Sequence, residues 1–287
     1  MCDVERGKYV NELDTLGTEG SLPGLEDLND RAPSAIVDVL LDAEARVPAV
    51  LAAASAQLAA AVETAERGLR AGGRILYVGA GTPGRLAALD AAECVPTFGV
   101  PPGLVTAILA GGPQAAGRAV EGAEDDDAAG AADLRAADPG PGDTVVGITA
   151  SGRTPYVLGA LDAARAAGAA TIAIVNNPDS AAAARADVAI ELLTGPEVIS
   201  GSTRLTAGTS QKVALNVLST AVMVRIGRTY GPWMIDVLAT NEKLRRRAQR
   251  MLVTITGASE EAAAEALRNA DGDARKALAE LHDRHPA

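Results

Sequence analysis

The stretch RILYVGAGTPGRLAALDAAECVPTFG, residues 74–99, decides the fold of this chain. It opens with the apolar run 75–78, breaks into a glycine-rich turn at 79–84, and continues as an Ala- and Leu-rich segment. This order predicts a strand, a tight loop and a helix. Glycines let the backbone approach a ligand closely, and the start of the next helix offers unpaired N–H groups. The loop therefore favours an anion.

The same turn spells G-x-G-x-x-G, which leaves three interpretations open. A dinucleotide site needs an acidic residue at the end of the next strand, roughly 20 residues further on. Here the next apolar run, 104–109, ends in Ala110-Gly111-Gly112, so that acid is missing. A small phosphorylated ligand fits the loop better than NAD does. A strand-to-helix turn without a ligand is the remaining alternative.

Composition and charge exclude several classes of function. Of the 287 residues 48% are hydrophobic, which suffices for a sizeable core, but only 2% are aromatic, so the chain offers no base-stacking platform. The net charge of −11 argues against nucleic acid and anionic membranes as partners. Cys2 and Cys94 are too few for a disulfide framework. We expect neither a metal nor a cofactor.

The N-terminus has no basic segment followed by an apolar one, as a secretion signal would have. No run of about 18 uncharged apolar residues follows it. We therefore expect a cytoplasmic protein.

Five short apolar runs alternate with Ala-rich segments of helical length. The runs are 74–78, 104–109, 143–149, 170–175 and 188–193. Fully apolar strands separated by helices predict a parallel sheet that is covered on both faces. We predict an α/β protein, a three-layer αβα sandwich with a five-stranded, mainly parallel sheet. In such a sheet ligands bind at the carboxyl ends of the strands, where the strand order reverses.

The flanking segments divide the chain into three parts. Residues 1–60 are predicted to form a helical N-terminal arm, residues 61–240 the sheet domain, and residues 241–287 a small C-terminal helical subdomain. An apolar helical arm is more typical of packing or dimerisation than of catalysis. The basic run 243–250 is predicted to be a solvated helix face.

The residues that follow the third run are the strongest candidates for a phosphate site. Ser151, Gly152, Arg153 and Thr154 combine two hydroxyls, a glycine and a permanent cation at a strand-to-helix turn. A Ser/Thr helix cap with a solvated arginine explains the same residues. The glycine loop in the same sheet, with Gly81 and Thr82, favours a phosphate.

Polar residues after the other runs are further candidates. Asn177 stands in a turn after the fourth run. Glu197 and the small polar residues in 200–204 and 207–212 follow the fifth run, and they are either a capped helix start or the far wall of a pocket. The acidic residues 121–127 are typical of a solvated face.

Five separated segments resemble, in order, the N-acetylmuramic acid 6-phosphate etherases. The segments are VGAGTPGRLAALDAAECVPTFGV, AVEGAEDD, GITASGRTPYV, ISGSTRLTAGTSQK and DVLATNEKL. These enzymes are sugar isomerase (SIS) domain proteins related to the glucokinase regulatory protein. The resemblance implies an αβα core, a homodimer and a sugar phosphate as the small-molecule substrate.

The resemblance also implies which residues act. The acid/base glutamates of the family map onto Glu93 and Glu124, and its phosphate loop maps onto residues 151–154, with Thr82 in the companion loop. This chain departs from the family pattern at Pro83, where the family has serine, at Thr206, where it often has lysine, and at Val95, where it has proline.

The implied reaction splits the D-lactyl ether of N-acetylmuramic acid 6-phosphate by elimination and then hydration. Our hypothesis is that Glu93 protonates the ether oxygen and Glu124 removes the C2 proton, with roles that can exchange. It expects Glu93 to be buried in its apolar helix, which would raise its pKa. A regulator that only binds a sugar phosphate and an aldose–ketose isomerase are the alternatives.

Overall fold

The computed structural model describes residues 16–236 and 242–284, so Cys2 and residues 237–241 of the DVLATNEKL segment lie outside the described part. Its five strands occur where the apolar runs predict them. They are β1 (Ile75–Gly79), β2 (Val105–Leu109), β3 (Thr144–Thr149), β4 (Ala170–Val175) and β5 (Val188–Glu191).

All five strands are parallel and form one sheet in the order β2-β1-β3-β4-β5. The predicted α/β class with a parallel sheet is confirmed. In this order the chain reverses direction across the sheet between β1 and β3, whose ends pair at Gly79 and Ile148. Ligands of doubly wound sheets bind at such a reversal.

Helices cover both faces of the sheet. The helices before residue 226 are α1 (Pro33–Glu44), α2 (Val47–Ala53), α3 (Ser55–Arg70), α4 (Gly81–Phe98), α5 (Asp127–Ala136), α6 (Pro155–Ala166) and α7 (Thr206–Arg225). Of these, α1 and α2 pack on α7. Helices α3, α4 and α7 share one apolar core with the sheet, and α5 and α6 share the other. The predicted three layers follow from these two cores. The proposed boundary of the N-terminal arm at residue 60 falls within α3, which packs on β5 and α7.

Helix α4 carries the second half of the stretch 74–99 along the sheet. Ala87, Ala91, Cys94 and Phe98 recur every three or four residues and are all buried in the core, as an amphipathic helix requires. The helix ends at Phe98 because Gly99 adopts a left-handed φ of 60° and donates its N–H to Val95 O.

Three helices follow residue 241: α8 (Glu242–Thr256), α9 (Glu260–Asn269) and α10 (Ala274–Arg284). They pack around a core of their own that includes Met251, Leu267 and Leu278. The basic residues of the run 243–250 are exposed, as predicted. The proposed boundary at residue 240/241 lies outside the described residues.

Within the described ranges, no single helix has the length and apolar composition to cross a membrane. The pair Pro33–Ala53 and Ser55–Arg70, bent by 61°, meets that test by length and composition only.

Candidate active site

A cavity of about 380 Å³ opens at the reversal point, between the loops that follow β1 and β3. Because these strands are neighbours in the sheet, their following loops face each other across its carboxyl edge. Six of the predicted site residues line this cavity: Gly81, Thr82, Glu124, Ser151, Arg153 and Thr154. Glycine at two positions makes the first loop compact, because a Cβ at Gly79 would meet Gly84 N at 2.8 Å, and one at Gly84 would meet Gly79 O at 2.6 Å.

The loop after β3 is organised by the hydroxyl of Thr149, the last residue of that strand. Its Oγ1 lies 2.7 Å from Thr154 Oγ1 and accepts a hydrogen bond of 3.2 Å from the N–H of Gly152. The hydroxyl of Ser151 accepts a hydrogen bond of 3.2 Å from the N–H of Arg153. Gly152 is buried behind the loop with a φ of +69°, and a Cβ there would meet Ser180 at 2.3 Å. The hydroxyls of Thr149, Ser151 and Thr154 are therefore held close together at the start of α6.

The first turn of α4 forms the opposite side of the cavity. Thr82 and Pro83 both line it. A proline is tolerated in a first helical turn because the N–H that it lacks would have no partner within the helix. The same proline removes one donor that a bound anion would otherwise receive.

Glu124 stands between two cavities. It lies in the short 3₁₀ helix Ala123–Asp125 and is exposed. Besides the cavity above, it lines a neighbouring one of about 200 Å³ that contains Arg85. A carboxylate at this junction can accept a proton from a ligand that extends from one cavity into the other.

Glu93 does not reach either cavity within one chain. It lies twelve residues after Gly81 in α4, which corresponds to about 18 Å along the axis at 1.5 Å per residue. Its side chain is exposed, so the expectation that Glu93 is buried in its apolar helix is wrong for the described chain. The periodicity of α4 turns this residue away from the core, towards the side of exposed Leu89, one turn earlier.

The buried carboxylate of α4 is Asp90, which the sequence did not single out. It is 8% exposed and accepts hydrogen bonds from Tyr77 Oη at 2.9 Å and from Ser219 Oγ at 3.0 Å. Burial raises the pKa of Asp90, and the two hydroxyl donors only partly oppose this. Asp90 thus connects β1, α4 and α7 below the loops.

Asn177 and Glu197 have structural contacts and do not line the cavity. Asn177 is 1% exposed, and its amide donates to Thr18 Oγ1 and Ala150 O, both at 2.9 Å. Glu197 is fully buried, and its carboxylate accepts the N–H groups of Thr206 at 3.0 Å and Ala207 at 2.8 Å. It therefore caps α7.

Thr203, from the segment 200–204 that was a candidate for the far wall, also lines the main cavity. Three further lining residues were not predicted from the sequence: Glu19, Asp125 and Thr149. Glu19 belongs to an N-terminal segment that docks through the hydrogen bond between Thr18 and Asn177, 159 residues away. No local pattern could have revealed this contact. Thr149, in contrast, ends an apolar run, and its position just before the Ser-Gly-Arg-Thr loop was a usable signal.

Comparisons with known proteins define the class of this fold. Residues 57–165 match the glucokinase regulatory protein N-terminal SIS domain, and residues 126–221 match the SIS domain. A protein of E. coli CFT073, solved as a ligand complex, superposes with a TM-score of 0.53 at 16% identity over 70% of this chain and 96% of its own. A putative phosphosugar isomerase of Bacteroides fragilis gives 0.52 at 24% identity over 70% and 99%. The protein has the SIS fold.

Relatives of higher identity narrow the class to one family. An N-acetylmuramic acid 6-phosphate etherase of Symbiobacterium thermophilum is 51% identical over 94% of this chain and 90% of its own. Those of Streptomyces avermitilis and Deinococcus radiodurans are 48% and 50% identical over 93% and 92% of this chain and 86% and 87% of theirs. The chain belongs to the N-acetylmuramic acid 6-phosphate etherase family, as the sequence motifs indicate.

Proposed function

We propose that this protein is an etherase that cleaves the D-lactyl ether of N-acetylmuramic acid 6-phosphate. The products are N-acetylglucosamine 6-phosphate and D-lactate, and the reaction serves the recycling of cell-wall amino sugars. Family membership at about half identity supports the reaction class. The observation that carries the site is the cavity at the β1/β3 reversal, where hydroxyls, Arg153 and Glu124 meet. Since a sugar phosphate does not cross membranes unaided, the proposal places the enzyme in the cytoplasm.

The 6-phosphate binds, in this proposal, at the loop after β3. Ser151, Arg153 and Thr154 present hydroxyls and a guanidinium at the start of α6, where the helix dipole also favours an anion. Gly152 gives the loop its left-handed turn. Gly81 and Thr82, at the start of α4, contribute from the opposite side. Holding the phosphate fixes the sugar relative to Glu124.

An alkyl ether resists direct hydrolysis, but the ring-opened sugar offers an easier path. Its aldehyde acidifies the C2 proton, so a general base can remove that proton while a general acid protonates the departing ether oxygen. The lactate leaves by breaking the C3–O bond, and water then adds at C3 of the unsaturated intermediate. We assign the removal of the C2 proton to Glu124 because it lies at the junction of the two cavities.

The proposed acid, Glu93, comes from a second copy of the chain. Glu93 lies about 18 Å along α4 from the start of that helix, so it cannot meet Glu124 of its own chain across the cavity. The same helix exposes Leu89 at 52%, one turn before Glu93 and on the same face. The family resemblance implies a homodimer, and an interface over this face would cover the exposed leucine. A homodimer that buries this part of α4 would carry Glu93 to the partner's cavity.

The test is to incubate the purified protein with N-acetylmuramic acid 6-phosphate in oxygen-18 water. The proposal expects ¹⁸O at C3 of the sugar product and unlabelled lactate, because the C3–O bond breaks and water supplies the new hydroxyl. Label in the lactate would contradict the elimination path. Binding without lactate release would instead support a regulator. A separate incubation with fructose 6-phosphate in D2O tests the isomerase, which would incorporate solvent deuterium into that sugar and release no lactate from N-acetylmuramic acid 6-phosphate.

A further inference from the structure

The smaller cavity beside Glu124 has a lining that the phosphate site does not explain. It measures about 200 Å³ and shares Ala80, Gly81 and Glu124 with the main cavity, so the two are contiguous. Among the residues that line it in the described part of the chain, Arg85 is the one with a basic side chain. Arg153, the basic residue of the main cavity, stands on the other side of the junction.

Arg85 is held in place by one hydrogen bond. Its Nε donates to the carbonyl oxygen of Ala115 at 2.9 Å, in the 3₁₀ helix Pro113–Ala116, and the side chain is half-buried. The described residues accept no other hydrogen bond from its guanidinium. The two terminal nitrogens therefore keep their donors for a ligand, in the planar geometry that matches a carboxylate.

The charges of the substrate require a second cation. The proposed substrate carries two anionic groups, the 6-phosphate and the carboxylate of the lactyl ether. The main cavity provides Arg153 for the phosphate. The carboxylates of Glu121 and Glu124 line the smaller cavity and would repel a lactyl carboxylate that entered it uncompensated.

We propose that Arg85 binds the carboxylate of the departing lactyl group, and that the smaller cavity is the lactyl subsite. This inference rests on the proposed etherase function. The phosphate then occupies the main cavity, the lactyl group the smaller one, and the bond that breaks lies between them beside Glu124. Arg85 thereby selects sugar phosphates with a lactyl ether over those without it.

The test compares two substrates in two proteins. The substrates are N-acetylmuramic acid 6-phosphate and its analogue in which the lactyl carboxylate is a primary amide. Wild-type protein is expected to prefer the acid by about 10- to 100-fold in kcat/KM, the range of one charge-assisted contact. Arg85→Gln is expected to lose activity on the acid by a similar factor, with little change on the amide. Arg85→Lys, which keeps the charge, is expected to retain part of the preference.

Arg118→Gln is the matched control. Arg118 is an exposed arginine next to the same 3₁₀ helix, where it donates to Gln114 Oε1 at 3.0 Å, and it lines neither cavity. It should leave the preference for the acid unchanged. An Arg85→Gln protein that is equally impaired on both substrates, or on neither, would overturn the inference. A wild-type protein that releases no lactate from the acid would overturn the proposed function itself, and the inference with it.

Discussion

Asp90 and Glu93 lie within one turn of α4, yet their surroundings differ in ways that decide what each can do. Asp90 faces the core, where two hydroxyls donate to it, and Glu93 faces outward. A carboxylate in an Ala- and Leu-rich helix looks equally suitable at either position when only composition is considered. The direction in which each side chain points from the helix decides its role. Asp90 points to the core and is structural, whereas Glu93 points outward and is the candidate catalytic acid.

Replacement of Asp90 by alanine is expected to lower the free energy of unfolding by about 1–3 kcal/mol, because the buried hydroxyl of Tyr77 would lose its acceptor. Tyr77→Phe in the same protein should recover part of the loss, since it removes the orphaned donor. Urea unfolding of the two single variants and the double variant measures this. Losses that simply add would contradict the pairing.

The same residue predicts a pH dependence. Burial raises the pKa of Asp90 above its unfolded value of 3.8, so the folded protein binds this proton more tightly. Its contribution to stability is fully present below the unfolded pKa and declines as the pH rises through the folded pKa. The stability of wild type relative to Asp90→Asn, measured by urea unfolding across pH, should therefore fall as the pH rises above 3.8. A difference that rises with pH would contradict the assignment.

At the scale of single elements, the stability of the helices next to the carboxyl-end loops depends on how their first N–H groups are capped. Glu197 caps α7 with two hydrogen bonds from buried N–H groups. Glu197→Ala should destabilise the fold by about 1–3 kcal/mol and leave the KM for substrate nearly unchanged, because the residue does not line the cavity. Thermal unfolding together with steady-state kinetics checks both parts. A raised KM in a protein of unchanged stability would show instead that Glu197 contacts substrate.

A substitution in the first turn of α4 is expected to change the KM for substrate instead of the stability. Pro83→Ser adds a hydroxyl and an N–H donor beside the cavity, at a position where the helix itself needs neither. If the phosphate binds between this turn and the loop after β3, KM should fall by about 2- to 10-fold, the value of one neutral hydrogen bond. Pro155→Ser is a useful comparison, because Pro155 starts α6 at the other side of the same cavity. An unchanged or raised KM for Pro83→Ser would place the phosphate elsewhere.

Local patterns were sufficient for the sheet and for the two loops. The alternation of apolar runs and Ala-rich segments predicted β1 to β5, and glycines and hydroxyls marked the residues after β1 and β3. The rest of the site depends on contacts between residues far apart in sequence. Glu19 reaches the cavity because Asn177 donates a hydrogen bond to the neighbouring Thr18. Asp90 accepts a hydrogen bond from Ser219, 129 residues away. Periodicity carries no information about such pairings.

At the scale of the whole molecule, the two glutamates expected from the sequence stand far apart in one chain. Glu124 lies at the cavity, whereas Glu93 lies far along α4 on the face of exposed Leu89. A two-fold symmetric dimer uses the same surface on both subunits, so one contact between copies of α4 would complete two sites at once. The central claim is that each active site takes one glutamate from each chain.

Subunit complementation tests this claim most directly. Glu93→Gln and Glu124→Gln each remove one proton-transfer group, so each homodimer should lose about 10²- to 10⁴-fold in lactate release. The two variants, produced together with different tags and purified as the heterodimer, should recover about half of the wild-type activity, because one of the two shared sites then contains both glutamates. A heterodimer as inactive as its two parents would contradict the account.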